Sequence, residues 1–188
     1  MRLGRKVWMY CMVILLLLLS GCGEKSMMEQ YSFGQQQLQA GQSALTMMMP
    51  FQLAPQNSTN NVGQVIYAGN DAHVNFLIVA QPVEQSVNGQ NRVLAPQELA
   101  DHSLALLKKT ASVKNLKSTS NSTMIGNIPA VETSFEYEES ANNKTAHLVV
   151  RGIYFTDNGQ VWNINYIYQA DDATGKEVVD YIWGKIQK

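Results

Sequence analysis

The sequence predicts an α+β fold, an α/β/α sandwich around a mainly antiparallel sheet, with one mid-chain helix and one C-terminal helix. Most of the chain consists of short segments in which apolar and polar residues alternate, and these are separated by turns containing Asn and Gly. Two segments, beginning near Pro96 and Thr174, instead have apolar residues at helical spacing. The last strands are apolar on both faces, so we expect a covering layer on each side.

The first 22 residues have the composition of an export signal that ends in a lipid-attachment site. Three cations come first, Arg2, Arg5 and Lys6. The apolar run from Val7 to Leu19 is shorter than the ~20 residues that a membrane-spanning helix needs. It ends in Leu19-Ser20-Gly21-Cys22, which resembles the lipobox of bacterial lipoproteins. The alternatives are an uncleaved anchor helix and an ordinary signal peptide with a chance cysteine.

The lipobox resemblance implies that residues 1–21 are a signal peptide and that the chain is cut before Cys22. The thiol would then carry diacylglycerol, and the new N-terminus a fatty acid such as palmitate. Two or more acyl chains hold a protein firmly on a membrane, whereas one does so only marginally. We therefore expect an exported protein that is lipid-anchored to a bacterial membrane in the cell envelope.

Composition excludes several kinds of partner and chemistry. The chain has 14 Lys and Arg against 15 Asp and Glu, and the signal removes three of the cations, so the remainder is mildly acidic. Nucleic acid and anionic lipid surfaces both favour basic patches, which argues against either as a partner. Cys11 leaves with the signal and Cys22 is acylated, so we expect neither a disulfide nor a cysteine-based site.

The segment after the cysteine is interpreted as a spacer. Residues 22–44 are rich in Gln and Gly without a sustained period, which predicts a flexible tether before a single domain at 45–188. The alternative is that Tyr31–Leu38 forms an early edge strand. Leu45–Leu53 is the first core segment. It contains three consecutive methionines, whose side chains alternate between strand faces, so core packing is favoured over a copper site.

Alternation and turn residues predict most of the remaining elements. His73–Ala80 is nearly all apolar towards its end, which is typical of a central strand covered on both faces. Gln85–Arg92 is polar and rich in turn residues. Pro96 at the first helical position, with Glu98 in the first turn, predicts the mid-chain helix. The other predicted strands are Gln64–Ala68, Asn115–Ile125, Ala130–Glu138, Thr145–Phe155 and Val161–Gln169.

The last three strands are predicted to form a meander, and their turns suggest two registers. The pair Asn158-Gly159 is a strong signal for a two-residue hairpin. This turn would place Arg151 opposite Tyr166 and Phe155 opposite Trp162.

The preceding connection is predicted to be a four-residue loop, Ser140–Asn143. That loop would place Glu132 opposite Arg151 and Glu136 opposite His147. Two acid–base pairs in one register favour it, because opposite charges across strands are stabilising.

The candidate binding patch lies on one face of this meander and consists of Arg151, Trp162, Tyr166 and Tyr168. Aromatic rings combined with arginine are typical of binding hot spots. The competing interpretation, which we favour, is that these rings are core residues beneath a helix.

A C-terminal helix follows the meander. Thr174 with Glu177 forms the pattern of a capping box, and Asp171 and Asp172 suit the positive end of a helix dipole. Apolar residues continue at helical spacing to Ile186. Within this helix Gly184 is expected to permit close approach to the sheet.

The order of elements, on a lipoprotein of this size, resembles the PsbP/DcrB-like fold. The segments that carry the resemblance are residues 49–55, 74–81, 98–109, 126–137 and 152–172. The resemblance implies an envelope lipoprotein of a family whose members are mostly of unknown role, with relatives that act as assembly or accessory factors. It implies no common active site.

Motifs for familiar chemistry do not occur in the sequence. It contains no Gly-rich phosphate loop, HExxH or GxSxG, and its three histidines fall on separate elements. The acidic residues Glu136, Glu138 and Glu139 are interpreted as a solvated strand end rather than a cation site. We therefore expect no enzyme activity, cofactor or metal. The predicted function is binding to an envelope protein as an accessory or assembly factor; the alternatives are a small ligand held between sheet and helix, and an unrecognised hydrolase.

Overall fold

The computed structural model describes residues 30–57, 63–87, 90–141 and 144–188. The chain divides into two units, Met1–Tyr31 and Ser32–Lys188. Nearly all of the first unit, including the predicted signal peptide and Cys22, lies outside the described residues. The second unit contains the sheets and helices that follow.

The described part of the second unit contains strands and two helices. Neither helix is long and apolar enough to cross a membrane. In chain order the elements are β1 Gly34–Ala40, β2 Ser43–Met49, β3 Ala54–Asn57, β4 Val65–Asn70, β5 Val74–Pro82, β6 Glu84–Val87, β7 Gln90–Val93, α1 Pro96–Lys109, β8 Val113–Ile125, β9 Ile128–Ala141, β10 Lys144–Asp157, β11 Gln160–Gln169, α2 Ala173–Ile182 and β12 Ile186–Gln187.

The strands form three antiparallel sheets, which confirms the predicted α+β class. The large sheet has the order β3-β4-β5-β11-β10-β9-β8, and a small sheet has the order β1-β2-β12. Strands β6 and β7 pair as a separate hairpin within the segment that the sequence marks only as turn-rich. The meander β9-β10-β11 therefore lies within the large sheet, between β5 on one side and β8 on the other.

The large sheet is covered on both faces, but by different layers. Helix α1 packs over β8, β9 and β10 on the face that carries Tyr154, which we call the helix face. On the opposite face Trp162 meets Ser43 of the small sheet, and Arg151 meets Asp180 of α2. A helix packs on each face of the large sheet, as predicted, and on this side a small sheet completes the outer layer.

The N-terminal part of the domain begins earlier than predicted. Strand β1 pairs along its length with β2, with Leu38 opposite Leu45 and both fully buried. The backbone of Gln39 also exchanges two hydrogen bonds with the Tyr67 hydroxyl, at 2.9 and 2.8 Å. The tether prediction for residues 22–44 is therefore wrong from Gly34 onward, where the edge-strand alternative applies. Met47 and Met49 are buried in the core, as predicted.

Strand β5 is central in the sheet, but it is not covered on both faces as predicted. Its residues facing the small sheet and α2 are fully or almost fully buried, Val74, Phe76, Ile78 and Ala80. On the helix face Leu77 is 39% exposed. The reason is that α1 lies over the other half of the sheet, β8 to β11.

The two predicted registers have different outcomes. Arg151 pairs with Tyr166 and Phe155 with Trp162, which confirms the two-residue hairpin at Asn158-Gly159. Both hairpin residues have positive φ, 45° and 74°, as the type I′ turn requires.

The register predicted for β9 and β10 is wrong by two residues. Ala141 pairs with Lys144, so Arg151 faces Ser134 and Glu136 faces Val149. Glu136 still meets His147, at 3.0 Å between carboxylate and ring nitrogen, but along the diagonal of the ladder. Diagonal neighbours are within reach of long side chains, which is why charge pairing was a poor guide to the register.

The C-terminal helix begins two residues earlier and ends earlier than predicted. Asp172, rather than Thr174, is its N-cap and accepts a hydrogen bond from the Gly175 N–H at 2.9 Å. The helix ends at Ile182, and Gly184 has a φ of +73°, a left-handed conformation typical after a helix. Ile186 is therefore a strand residue, which pairs with Met47 of β2.

Candidate functional site

The predicted binding patch belongs to the core, and the hot-spot interpretation is corrected accordingly. Trp162 and Tyr166 are fully buried, and Tyr168 is 7% exposed. Burial raises the pKa of the Tyr166 hydroxyl well above its ordinary value. These rings pack beneath α2 and the small sheet, so no partner can reach them without unfolding of that layer.

Arg151 is the half-accessible member of the patch and serves to attach α2. Its guanidinium carbon lies 3.8 Å from the centre of the Trp183 ring, within the range of a cation–π contact. Its Nη1 also donates to Asp180 at 2.7 Å. Both partners come from the α2 region, so the side chain stabilises the packing of that helix on the sheet.

A buried polar network joins the β10-β11 hairpin to the small sheet. Asp157 is 4% exposed and accepts a hydrogen bond from the Ser43 hydroxyl at 2.5 Å. The Trp162 ring N–H in turn donates to Ser43 at 2.9 Å, and the Lys188 ammonium pairs with Asp157. A buried carboxylate needs such partners, because desolvation without them is costly. Ser43 is fully buried, so this network is structural rather than an accessible nucleophile.

The acidic residues of β9 are paired with donors. Glu136 accepts from Lys117 at 3.0 Å and from His147 at 3.0 Å. The hydrogen bond and charge of Lys117 lower the pKa of Glu136 below its ordinary range, with His147 adding to the effect. Glu138 accepts from Asn115 at 2.9 Å. Within the described residues no group of three or more His, Cys, Asp or Glu side chains is arranged to hold a metal ion.

The outer edge of β8 is one of the two edges of the large sheet. This strand is the last of the sheet, so its outer edge has no neighbouring strand among the described residues. A register shift between Lys114 and Lys117, with Asn115 at a φ of 53°, interrupts its first part. From Ser118 to Ile125 the strand pairs regularly with β9.

A cleft of about 250 Å³ lies between this edge and α1. We call it the β8–α1 cleft. Its lining residues are Ala100, Asp101 and Leu104 of α1, Ser118, Thr119 and Ser120 of β8, and Thr133 and Phe135 of β9. The cleft exists because the facing side chains are small: Ala100 is the buried residue of α1, and serines occupy the helix face of β8.

Two of the lining residues, Ser120 and Thr133, belong to a row of residues that pair with one another across four strands. Ser120, Thr133, Gly152 and Asn165 are successive partners across four strands. A Cβ atom on Gly152 would meet the Thr133 hydroxyl oxygen at 2.6 Å, so the side chain of Thr133 occupies the space that this glycine leaves.

The hydroxyl of Thr133 is the unusual group of this site. The residue is 4% exposed, and its Oγ1 is buried without a hydrogen-bond partner. Burial raises the pKa of the nearby Tyr154 phenol, and the hydroxyls of Ser103 and Thr133 oppose that rise. Tyr154 donates to Ser103 at 3.1 Å, and the Thr133 hydroxyl lies close enough to the same phenol to affect its pKa. Buried polar atoms without partners are rare in folded proteins.

Comparisons with known proteins show only distant structural likeness. No family model matches the chain, and no curated protein matches it. Among solved structures, LpqN of Mycobacterium tuberculosis, described as involved in cell envelope biogenesis, is 13% identical with a TM-score of 0.46, covering 89% of this chain and 98% of its own. A Pseudomonas aeruginosa protein of unknown function is 11% identical with a TM-score of 0.41, covering 78% and 91%. Likeness at this level carries no argument about function.

Proposed function

We propose that this chain is a lipid-anchored envelope protein without enzyme activity, which binds an extended segment of another protein along the outer edge of β8. The observation that carries the proposal is the edge from Ser118 to Ile125, beside which no further strand lies among the described residues. On an edge strand every second residue directs its N–H and C=O outward, where they can pair with an added strand. Several peptide-recognition domains bind their ligands in this way.

The edge lacks the features that usually prevent such pairing. Proteins protect exposed edges with bulges, lysines and prolines. Here the bulge and the two lysines, Lys114 and Lys117, are confined to the first part of the strand. The sequence from Ser118 to Ile125 contains neither a charged residue nor a proline, and Met124 is 56% exposed.

The position of α1 favours recognition over unspecific pairing. An added strand would direct alternate side chains towards the helix face, where the β8–α1 cleft lies. Backbone hydrogen bonds would supply affinity, and the cleft would select among side chains.

The anchor is the second part of the proposal. A lipid on Cys22, which the lipobox resemblance implies, would hold the domain at the membrane surface. The PsbP/DcrB-like resemblance agrees with an accessory role in the envelope. Tethering raises the local concentration of binding partners on the same membrane, so modest affinity for a partner segment would suffice.

The test is site-specific photo-crosslinking in native membranes. A photoreactive residue at Asn121, which is exposed on the β8 edge, should crosslink to a defined envelope protein, whereas one at the exposed Glu177 of α2 should not. Absence of a specific product at Asn121, or the same products at both positions, would overturn the proposal.

A proline scan adds a control for the geometry. Of Thr119→Pro and Ser120→Pro, one removes an N–H that pairs with β9 and the other removes an outward N–H. The variant that keeps the thermal stability of the parent protein should lose the crosslink. Retention of the crosslink in that variant would show that the edge is not used.

The second candidate function is binding of a small ligand in the cleft itself. The cleft favours it, because small polar side chains of β8 and apolar side chains of α1 and β9 line the same space. The volume of about 250 Å³ is slightly below the range of roughly 300–1,000 Å³ that ligand pockets occupy, so a bound side chain fits this cleft better than a separate ligand.

A further inference from the structure

We infer that the domain rests on its membrane through the outer face of the small sheet and through an adjoining cluster of Phe33, Tyr181 and Lys185, which we call the aromatic cluster. This inference rests on the proposed function, because it requires the lipid on Cys22. The surface that this part of the domain contacts is the headgroup region of a lipid bilayer.

The small sheet buries one face and directs the other outwards. Leu38 and Leu45 pair with each other and are fully buried, so the alternate residues of the two strands belong to the outer face. These are Gln35 and Gln37 of β1, which are exposed, and Thr46 and Met48 of β2, which are half-buried. None of the three strands contains a charged residue. Contact with lipid headgroups would therefore take no charge of this sheet out of water, and removing charge from water is costly.

The aromatic cluster lies at the end of α2. The rings of Phe33 and Tyr181 are 4.6 Å apart between their centroids. The Lys185 ammonium lies 3.3 Å from the centre of the Tyr181 ring, within the range of a cation–π contact. Both rings are half-buried, and Lys185 is exposed. Tyrosine and lysine combine an apolar body with a polar end, which suits them to the boundary between water and lipid.

The aromatic cluster and the outer face form one surface. A depression of about 270 Å³ is lined by Gln35 and Met48 of the outer face together with Lys185 of the cluster. Phe33 also joins the two parts through the backbone, since it directly precedes β1. Lys185 gives this surface a cation, which is attracted to the phosphate groups of lipids.

The acidic residues of α2 limit this surface on one side. Asp180 is paired with Arg151 at 2.7 Å and with Lys176 at 2.6 Å. Glu177 is exposed one helical turn before Tyr181. Repulsion between Glu177 and lipid phosphates would keep the start of α2 away from the bilayer, so the contact is confined to the end of the helix and the small sheet.

The chain from Cys22 reaches the small sheet at the aromatic cluster. Ten residue steps connect Cys22 to Ser32, and ten fully extended residues span at most ~36 Å. A lipid on Cys22 would therefore keep Phe33 and the start of β1 close to the bilayer. Tethering also raises the local concentration of lipid at this surface, so a weak contact is enough to orient the domain.

This orientation leaves the β8 edge accessible. The small sheet and α2 cover a face of the large sheet, whereas an edge strand directs its free backbone groups within the plane of the sheet. Helix α2 packs on β5 and β11, and two further strands separate β11 from β8. A partner segment could therefore pair with β8 while the outer face of the small sheet contacts lipid.

The test is fluorescence quenching on the full-length lipidated chain in liposomes of phosphatidylcholine and phosphatidylglycerol that contain a nitroxide-labelled headgroup lipid. In the proposed mature chain Cys11 is removed and Cys22 is acylated, so an introduced cysteine is the single free thiol for a fluorophore. A label at Gln37→Cys should be quenched several-fold more than one at Lys108→Cys, an exposed position of α1 on the other side of the large sheet.

A double variant locates the effect in the aromatic cluster. Phe33→Ser with Tyr181→Ser should remove most of the quenching at Gln37→Cys. The matched control is Leu106→Ser, which removes an apolar side chain that is 54% exposed on α1, and it should leave the quenching unchanged. If the ring pair served only to join β1 to α2, the double variant would lower the melting temperature and keep the quenching, which would overturn the inference.

The outcomes separate the two proposals. If the lipidated chain floats with the liposomes but the labels at Gln37→Cys and Lys108→Cys are quenched equally, the inferred orientation is wrong and the proposed function stands. If the chain does not float with the liposomes, the anchor is wrong, and the proposed function fails with it.

Discussion

The side chains of His73 and Asp172 meet at 2.8 Å between Nδ1 and Oδ2, although 99 residues separate them. His73 precedes β5, and Asp172 is the N-cap of α2, so the pair joins the central strand to the start of the helix. The other carboxylate oxygen, Oδ1, accepts from the Gly175 N–H. The approach is close, because a Cβ on Gly175 would meet the His73 carbonyl oxygen at 2.7 Å.

Replacing Asp172 should destabilise the protein in a pH-dependent way. Burial tends to raise the pKa of Asp172, but the Gly175 N–H and His73 outweigh it, and the pKa lies below the ordinary value of 3.8. The stabilisation is therefore present above that value and is lost as the pH falls through the folded pKa. Asp172→Ala should lose about 1–2 kcal/mol at neutral pH.

The measurement for Asp172 is urea unfolding followed by tryptophan fluorescence at about pH 7 and about pH 3. The difference from the parent protein should shrink at the lower pH. Asp171→Ala, an exposed neighbour, is the control and should change little. An equal loss at both pH values would contradict the role assigned to the carboxylate.

Removing the Ser43 hydroxyl should destabilise the core. Ser43→Ala leaves the Trp162 N–H without its acceptor and the buried Asp157 without its hydroxyl donor. Each group left unpaired costs about 1–3 kcal/mol, so we expect a loss of about 2 kcal/mol or more. Urea unfolding measures it against Ser112→Ala, whose hydroxyl makes a longer, partly exposed contact of 3.4 Å to Glu139. Similar losses in the two variants would argue against a special role for this network.

A side chain at Gly152 should not be tolerated. Gly152→Ala would bring a methyl group to 2.6 Å from the Thr133 hydroxyl in the middle of the sheet, and overpacking of this kind costs about 1–3 kcal/mol. Gly34→Ala is the control, because a Cβ there has nothing within 4 Å. The double variant Gly152→Ala with Thr133→Ala should recover part of the loss; no recovery would mean that the clash lies elsewhere. Thermal unfolding of the three variants gives the comparison.

The lipid attachment proposed at Cys22 requires its thiol. Cys22→Ala should abolish incorporation of labelled palmitate and leave the precursor unprocessed, because no other residue of the Leu19–Cys22 segment can form the thioether. Cys11→Ala is the matched control and should be labelled normally. Unchanged labelling of Cys22→Ala would contradict the assignment.

Local patterns predicted the C-terminal meander well. The Asn158-Gly159 turn gave the correct pairing of Phe155 with Trp162, because a two-residue turn leaves a single register. The prediction of the β9–β10 register depended on a longer loop and on charge pairs, and neither of these limits the two strands to a single register. The tether prediction failed at β1 because Gln-rich segments have little intrinsic strand preference, and pairing with β2 supplies the missing stability.

The candidate site was likewise predictable from the sequence only in part. Asn115–Ile125 was correctly predicted as a strand rich in Ser and Thr, but its place at the end of the sheet depends on the order in which distant strands pair. Nothing local marks Thr133, which belongs to the buried face of a regular alternating strand. The place of its hydroxyl depends on Gly152 of the next strand, since a Cβ there would lie 2.6 Å from the Thr133 oxygen.

By itself the sequence determined the class of fold and the two faces of the meander, since these follow from local chemistry and from the fixed period of side chains along a strand. Tertiary structure alone decided which faces are covered. Trp162 and Tyr166 became core because α2 and the small sheet pack over them, whereas the outer edge of β8 has no neighbouring strand in the part of the chain that the structure describes. Accessibility depends on contacts between residues far apart in the chain, and such contacts leave no periodic signal in the sequence.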